Sequence, residues 1–367
     1  MALDRILVVN AGSSSLKLRV LGRADAVLAS ADLPAPRGAV EIADLERAIA
    51  GFGSVDAIGH RIVHGGTAFS QAVRIDDRVI ARLEALTDLA PLHQPKSLAA
   101  LAAVATVLPD VPAIACFDTA FHSTLPAAAS TYALPAEWRS RWDLRRYGFH
   151  GLSHAYAARR APEILGRPAD GLRIVTCHLG AGASLAAVLD GRSIDTTMGF
   201  TPLEGLVMAT RSGTVDPGLV LWLADHVRMP SAELAAALEH RSGLLGLAGT
   251  ADMRAVIEAA AAADPDATLA LDVYLHRLRA GIASMAAALG GIDVLVFTGG
   301  VGEHAPEVRS RAVAGLAFLG LAVDPERNLD GPTDRDIGAA RARVATVVLE
   351  AREDIQIARD VRGVVGA

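Results

Sequence analysis

The sequence predicts an α/β fold made of two related domains, and three observations carry that expectation. Runs of strand length rich in Val and Ile alternate with longer Ala/Leu/Arg stretches of helical period, the pattern of the α/β class. A small-residue hairpin near the N-terminus has a second copy about half a chain later, and a repeated unit implies a repeated domain. The chain is 367 residues long, which at about 150 residues per domain is room for two.

In the first copy, Arg5-Ile-Leu-Val-Val-Asn10 reads as a strand, Ala-Gly-Ser-Ser-Ser15 as a tight turn, and Leu16–Val20 as the returning strand. Alternation then sets Lys17 and Arg19 on one face, opposite Leu16, Leu18 and Val20. In the second copy, Ile174–His178 leads through Leu-Gly180-Ala-Gly182-Ala-Ser184 into Leu185–Leu189. Further strands are expected at Val55–Val63, Pro112–Phe117, Asp293–Thr298 and Arg343–Leu349. Helices are expected at Ser97–Val107, Ala251–Ala263, Thr268–Leu289 and Asp354–Val364. Pro- and Gly-containing joints fall at Pro34–Gly38, Pro126–Pro135 and Asn328–Pro332. No low-complexity linker separates the halves, so the domains are expected to pack around a cleft.

Composition narrows the function classes. Apolar residues make up 51% of the chain and aromatic ones only 4%, so the mean hydropathy of +0.33 reflects alanine rather than membrane spans. The longest apolar stretch, Leu98–Leu108, is broken by Thr106 and stops at Pro109, short of the roughly 20 residues a bilayer demands. Asp4 and the brevity of Ile6–Val9 argue against a signal peptide. The expectation is a soluble cytoplasmic protein with no membrane partner. A net charge of −6 and a pI near 6.0 speak against nucleic acid as a partner. Of the 35 basic residues only Lys17 and Lys96 are lysines. Neither follows a glycine, which removes a Walker A loop, and no Val-Ala-Ile-Lys strand is present for a protein kinase. Cys116 and Cys177 each lie in an apolar run and read as buried thiols in a reducing compartment.

Two glycine- and serine-rich turns present backbone N–H groups with little bulk, which suits them to cradle phosphate oxygens. Asp293–Thr298 followed by Gly-Gly300-Val-Gly302-Glu-His-Ala305-Pro306 reads as strand, glycine loop and helix start, with Pro306 placed for a first helical turn. Gly300-x-Gly302-x-x-Ala305 with Asp324 mimics a dinucleotide fingerprint, but that reading leaves the paired hairpins unexplained. Arg61, Asp118, Arg211 and His150 sit among glycines and apolar side chains, where a polar or charged group is costly unless paired or used. His60 with His64, and His150 with His154, are four apart, but no His-Glu-x-x-His or third ligand supports zinc. No Gly-x-Ser-x-Gly elbow occurs.

Taken together, the motifs resemble one family. Val-Val-Asn-Ala-Gly-Ser-Ser-Ser-Leu-Lys17 resembles the opening signature of acetate kinases, and Asp195-Thr-Thr-Met-Gly-Phe-Thr-Pro-Leu-Glu-Gly205 with Thr-Arg-Ser-Gly213 resembles their second. Gly-His-Arg61, Ala-Pro-Leu-His93, Phe-Asp-Thr-Ala-Phe-His122, Tyr-Gly-Phe-His150, Cys-His-Leu-Gly180, Phe-Thr-Gly-Gly300-Val-Gly-Glu and Glu353-Asp-Ile-x-Ile-Ala-Arg359 match in order. The resemblance covers nearly the whole chain. It implies a duplicated two-domain actin-like (ribonuclease H-like) ATPase fold with a central nucleotide cleft. The domains would be 1–120, completed by a C-terminal helix at 354–367, and 121–353.

The resemblance also implies roles. Asn10 and Glu353 would help hold Mg²⁺, with Mn²⁺ as a substitute, and Ser13, Ser15 and Lys17 would lie close to the transferred phosphoryl of ATP. Arg61 and Arg211 would bind the acetate carboxylate and the migrating phosphoryl, with His93 also at the substrate. Val63, Leu92, Phe149 and Pro202 would form the methyl pocket, and His150 would stabilise the transition state. His178, Leu179, Gly180, Ala181 and Gly182 would contact ATP phosphates. Asp252, Met253, Arg254, Gly300, Val301, Gly302, Glu303 and His304 would frame the adenosine. The family assigns Asp118 as acid/base, but acetate has no proton to give up, so we expect Asp118 to orient Mg²⁺ or its water. Implied besides are a homodimer, a place in acetyl-CoA biosynthesis, and propionate preference as the nearest rival specificity. The departures are Ala181 and His304 where the family has Asn, Gln94 and Ser97 for two asparagines, and a shortened segment between Lys17 and Arg61. They bear on nucleotide affinity or preference and leave Arg61, Arg211, Asp118 and His150 intact.

Overall fold

The computed structural model describes residues 3–12, 15–35, 40–90 and 94–366. The chain divides into two compact units. One comprises Met1–Ser123, Phe149–Tyr156 and Arg352–Ala367, the other Thr124–Gly148 and Ala157–Ala351. Phe149–Tyr156 thus groups with the first unit although its flanking residues belong to the second.

The first unit holds a six-stranded sheet of β1 (Ile6–Ala11), β2 (Ser15–Leu21), β3 (Val27–Pro34), β4 (Ala57–Ile62), β5 (Val73–Arg74) and β6 (Ala113–Phe117), in the order β3-β2-β1-β4-β6-β5. Strands β1 to β3 form an antiparallel meander, β1, β4 and β6 run parallel, and β5 closes the edge antiparallel. Period-2 alternation splits β1 between two layers. Ile6 and Val8 pack with Ile357, Ala358 and Val361 of the helix Glu353–Val365. Leu7 and Val9 pack with Leu45 and Ile49 of Ile42–Phe52 and Val104 of Gln94–Val107. A Cβ on Gly59 of β4 would lie 2.4 Å from Ile357, so only glycine admits the C-terminal helix at this distance.

The second unit repeats that topology. Its strands are β7 (Arg173–Leu179), β8 (Ala183–Leu189), β9 (Arg192–Thr196), β10 (Val294–Thr298), β11 (Arg335–Asp336) and β12 (Ala345–Val348), in the order β11-β12-β10-β7-β8-β9. Again three strands meander, β7, β10 and β12 run parallel, and a two-residue strand closes the edge antiparallel. Even the register shift between the second and third strands recurs, at Val20/Leu21 and at Ala187/Val188. The duplication expected from the hairpins extends to the whole sheet.

The helix Pro265–Ala288 starts with proline at its first position, and Asp264 caps it by accepting from the Ala267 N–H, the arrangement that satisfies an otherwise unpaired donor. Cys116 and Cys177 are buried as expected, and burial raises both thiol pKa values. Among the described residues, no helix is long and apolar enough to cross a membrane.

Candidate active site

In the first unit, the expected residues gather at the C-terminal edge of three adjacent parallel strands, where open α/β sheets place ligands. Asn10 is on β1, Arg61 on β4, and Asp118 directly follows β6. The Arg61 guanidinium donates through Nε and Nη2 to the two Asp118 oxygens at 3.0 and 2.6 Å, and through Nη1 to Asn10 Oδ1 at 3.1 Å. Asn10 Nδ2 donates to Glu353 Oε2 at 3.0 Å, and that oxygen lies 3.9 Å from Arg61 Nε. One cation is thus held by two carboxylates and an amide. Desolvation works against the Arg61 charge, but Asp118 and Glu353 outweigh it and raise its pKa. Burial pushes the Asp118 carboxyl above its ordinary value against the pull of Arg61.

Asp118 also anchors the segment that carries His150. Its carbonyl accepts from the Gly151 N–H at 2.8 Å, and a Cβ on Gly151 would lie 2.2 Å from that oxygen. His150 itself is held at φ 57°, the left-handed region a non-glycine residue seldom adopts. His122 Nε2 donates to the Phe149 carbonyl at 3.1 Å. Burial lowers the His122 pKa to about 4, so the ring is neutral at pH 7. Val63 and Phe149 are both buried, and the Phe149 ring meets His64 edge-on at 5.4 Å. Gln94, one of the departures, is fully buried and braces this wall: it accepts from the His64 N–H and donates to the carbonyls of His64 and Leu83.

In the second unit, the turn between β7 and β8 is closed by the Gly180 N–H donating to Gly182 O at 2.9 Å, and Ala181 O accepts from the Ala209 N–H at 3.0 Å. Beside the turn lies a cavity of about 390 Å³ whose lining includes Ala181, Asp252, Met253, Arg254, Gly300 and His304, within the size range of small-molecule sites. Gly180 and Val301 line it too, with Ala209, Leu244, Ala251, Tyr274 and Ala305, which sequence reasoning missed. Gly299 (φ 79°) lets its helix abut β7, since a Cβ there would lie 2.9 Å from Leu179 O. Arg309, 1% exposed, donates to the carbonyls of Gly302 and Glu303 and fixes the end of that helix. Arg211 donates to Pro202 O at 3.1 Å and pairs with Glu239 at 3.2 Å. The loop bearing Pro202 is tied by Glu204, which accepts from Tyr132 at 2.5 Å and from Arg146 at 2.7 Å.

A model of the acetokinase family matches residues 39–359. The chain belongs to that family. It is 51% identical over 316 residues, 86% of this chain and 78% of the other, to an acetate kinase of Gloeobacter violaceus. Against an acetate kinase of Shouchella clausii it is 41% identical, with 97% of this chain and 98% of the other covered. Among solved structures, the acetate kinase of Porphyromonas gingivalis superposes with a TM-score of 0.90 at 35% identity over 99% of this chain and all of the other. A propionate kinase from Francisella tularensis does so with a TM-score of 0.90 at 34% identity, over 99% of this chain and 100% of the other. The fold is therefore the duplicated two-domain actin-like one of the acetokinases.

The other expected residues have these surroundings. Glu303 accepts at one carboxylate oxygen from the N–H groups of Gly299 and Ala351, both at 2.9 Å, and so caps its own helix. The Leu179 side chain is fully buried, leaving only its backbone for any phosphate contact. Both Asp118 oxygens engage Arg61, as Asn10 Oδ1 also does. His178, Gly182 and Gly302 do not line the cavity. Ser15 lies at the start of β2, and Lys17 pairs in register with Asn10 and is exposed. Ser13, Leu92 and His93 lie outside the described residues.

Among the described residues, no group of three or more His, Cys, Asp or Glu side chains is placed to hold a metal. Mg²⁺ needs fewer protein ligands than that, because it keeps waters and takes substrate phosphates. Asn10 and Glu353, hydrogen-bonded to each other, offer hard oxygen donors of the right kind.

Proposed function

We propose that this protein catalyses ATP + acetate ⇌ ADP + acetyl phosphate. The observation that carries the reading is the bidentate grip of Asp118 on Arg61 beside Asn10 and Glu353, set in a chain of the acetokinase family. Removing one partner of such a buried pair is strongly costly, so the grip holds the guanidinium in place for an anion.

Acetate is a carboxylate at pH 7, so its oxygen attacks the γ-phosphorus without a general base. Catalysis then reduces to positioning and to neutralising charge on the equatorial oxygens. Arg61 and Arg211 bind the acetate carboxylate and the migrating phosphoryl. His150 donates to the phosphoryl as charge develops. Val63, Leu92, Phe149 and Pro202 take the methyl group, with His93 at the carboxylate. Ser13, Ser15, Lys17, His178 and Gly180–Gly182 hold phosphate oxygens, and the cavity lined by Asp252–Arg254 and Gly300 receives the adenosine. Asn10 and Glu353 would hold Mg²⁺, which when bound supplies positive charge to the β- and γ-phosphates. Asp118 keeps Arg61 charged and oriented. The same reading makes the protein a cytoplasmic homodimer that serves acetyl-CoA biosynthesis. Propionate preference is the rival within the family, since one methylene is worth only about 1–3 kcal/mol of discrimination.

Replacing Arg61 or Arg211 by alanine tests the reading. Acyl phosphate trapped with hydroxylamine should form with kcat lowered on the order of 10²- to 10³-fold while circular dichroism is unchanged. Near-parental kcat in either variant removes that arginine from the chemistry.

A further inference from the structure

Arg211 reaches its position through an unusual amount of bracing, and one brace has no part in the reading above. Glu239, near the end of the helix Ser231–His240, places Oε2 3.2 Å from Arg211 Nε, with the two side chains 13% and 20% exposed. On its other side the guanidinium donates from Nη1 to Pro202 O at 3.1 Å and lies 3.6 Å from Met208 Sδ. Burial lowers the Arg211 pKa and Glu239 opposes the fall.

The backbone around the pair is stitched to the same helix end. Thr210 Oγ1 donates to Glu239 O at 2.8 Å, and the Ser212 N–H donates to Leu238 O at 3.0 Å. The Ser242 N–H donates to Thr210 O at 2.9 Å. Gly243 (φ 62°) permits the approach, since a Cβ there would lie 2.1 Å from Met208 O and 2.7 Å from Arg211 O. Two residues before Arg211, the Ala209 N–H donates to Ala181 in the β7–β8 turn. The loop that carries Arg211 is thus joined to the turn that borders the nucleotide cavity.

We propose that Glu239 is a positioning residue for phosphoryl transfer, fixing the Arg211 guanidinium in the orientation that receives the acetate carboxylate and the migrating phosphoryl. This rests on the role given to Arg211 above. A long, flexible arginine gains as an anion receptor only when its orientation is set beforehand. A carboxylate on Nε and a carbonyl on Nη1 set it from two sides.

The test is a double-mutant cycle on the full-length protein, read as kcat/KM for acetate and, separately, KM for ATP. Glu239→Ala should lower kcat/KM for acetate on the order of 10- to 100-fold, the cost of about 1 Å of misplacement, while KM for ATP changes less than about twofold. Glu239→Gln keeps an oxygen acceptor for Nε and should retain most activity, whereas Glu239→Asp is too short and should fall with Ala. In an Arg211→Ala background, Glu239→Ala should cost nothing more. If Glu239→Ala does not fold by circular dichroism, the Gln and Asp pair decides alone. An unchanged kcat/KM for acetate in the Ala or Asp variant overturns the proposal, as does an equal loss in both backgrounds or a Gln variant as poor as Asp. Near-parental activity of Arg211→Ala by itself would instead overturn the role of Arg211, a different failure.

Discussion

Gly151→Ala is a one-carbon change whose consequences can be worked out from the contacts of Asp118. The new Cβ would stand 2.2 Å from the Asp118 carbonyl oxygen and 2.9 Å from Phe121 Cβ. Relief requires movement of about 1 Å, because unstrained contacts lie near 3.5 Å. Overpacking of this kind costs about 1–3 kcal/mol. Stretching the 2.8 Å bond from the Gly151 N–H to Asp118 O removes about 0.5–1.5 kcal/mol more. The melting temperature should drop by several degrees. The moving groups are His150 and Asp118, the latter with both oxygens on Arg61, so a displacement near 1 Å should cut kcat on the order of 10²-fold. Differential scanning fluorimetry and hydroxylamine-trapped acyl phosphate measure the two effects on one preparation. Gly363→Ala is the control: its Cβ meets nothing within 4 Å in the helix Glu353–Val365, and it should be neutral or stabilising by up to about 1 kcal/mol. A Gly151→Ala variant with parental Tm and kcat would refute the view that this contact positions His150 and Asp118.

Other perturbations probe other parts. Val63→Ala, at a buried position, should raise the propionate-to-acetate ratio of kcat/KM several-fold, within the range of a methylene contact; an unchanged ratio removes Val63 from the methyl pocket. Ala181→Asn adds an amide at an exposed position lining the cavity proposed to receive ATP. A hydrogen bond to a charged acceptor is worth about 1.5–3 kcal/mol, so KM for ATP should fall while KM for acetate stays nearly unchanged; a rise in KM for ATP contradicts this. Burial holds the neutral rings of His60, His64 and His122 at pKa values of about 4, against an ordinary value near 6.5. Between these values the unfolded chain binds more protons than the folded one. Stability is therefore full above about pH 6.5 and is lost as pH falls toward 4. His60→Leu should remove about 3 kcal/mol of that acid-side slope, and urea titrations from pH 7 to pH 4 that superpose on the parent would contradict the assignment.

Much of this was legible in the sequence because the informative segments combine two signals. The β1–β2 and β7–β8 hairpins join apolar alternation to small-residue turns, and both form where expected. Their third strands were not legible. In β3, Val-Leu-Ala-Ser-Ala-Asp-Leu-Pro lies exposed or half-buried throughout, and the edge strands β5 and β11 are two residues each. The helix Pro217–Asp225 buries no residue although Leu219–Ala224 is wholly apolar, so it has no helical alternation to read. At the site, Arg61 and Asp118 stood out as charges needing partners, and each is the other's. Glu239 did not, because nothing in its helix Ser231–His240 marks that glutamate for a partner in the Arg211 loop. Nor does the motif reveal that the Glu303 side chain caps Gly299.

The central claim is tested most directly by mixing purified protein with ATP, Mg²⁺ and acetate, then quantifying hydroxylamine-trapped acyl phosphate and ADP together. The account predicts acetyl hydroxamate and ADP in one-to-one amounts, loss of both on adding EDTA, and a higher kcat/KM for acetate than for propionate or butyrate. ADP released without hydroxamate would make the protein an ATPase and contradict the account.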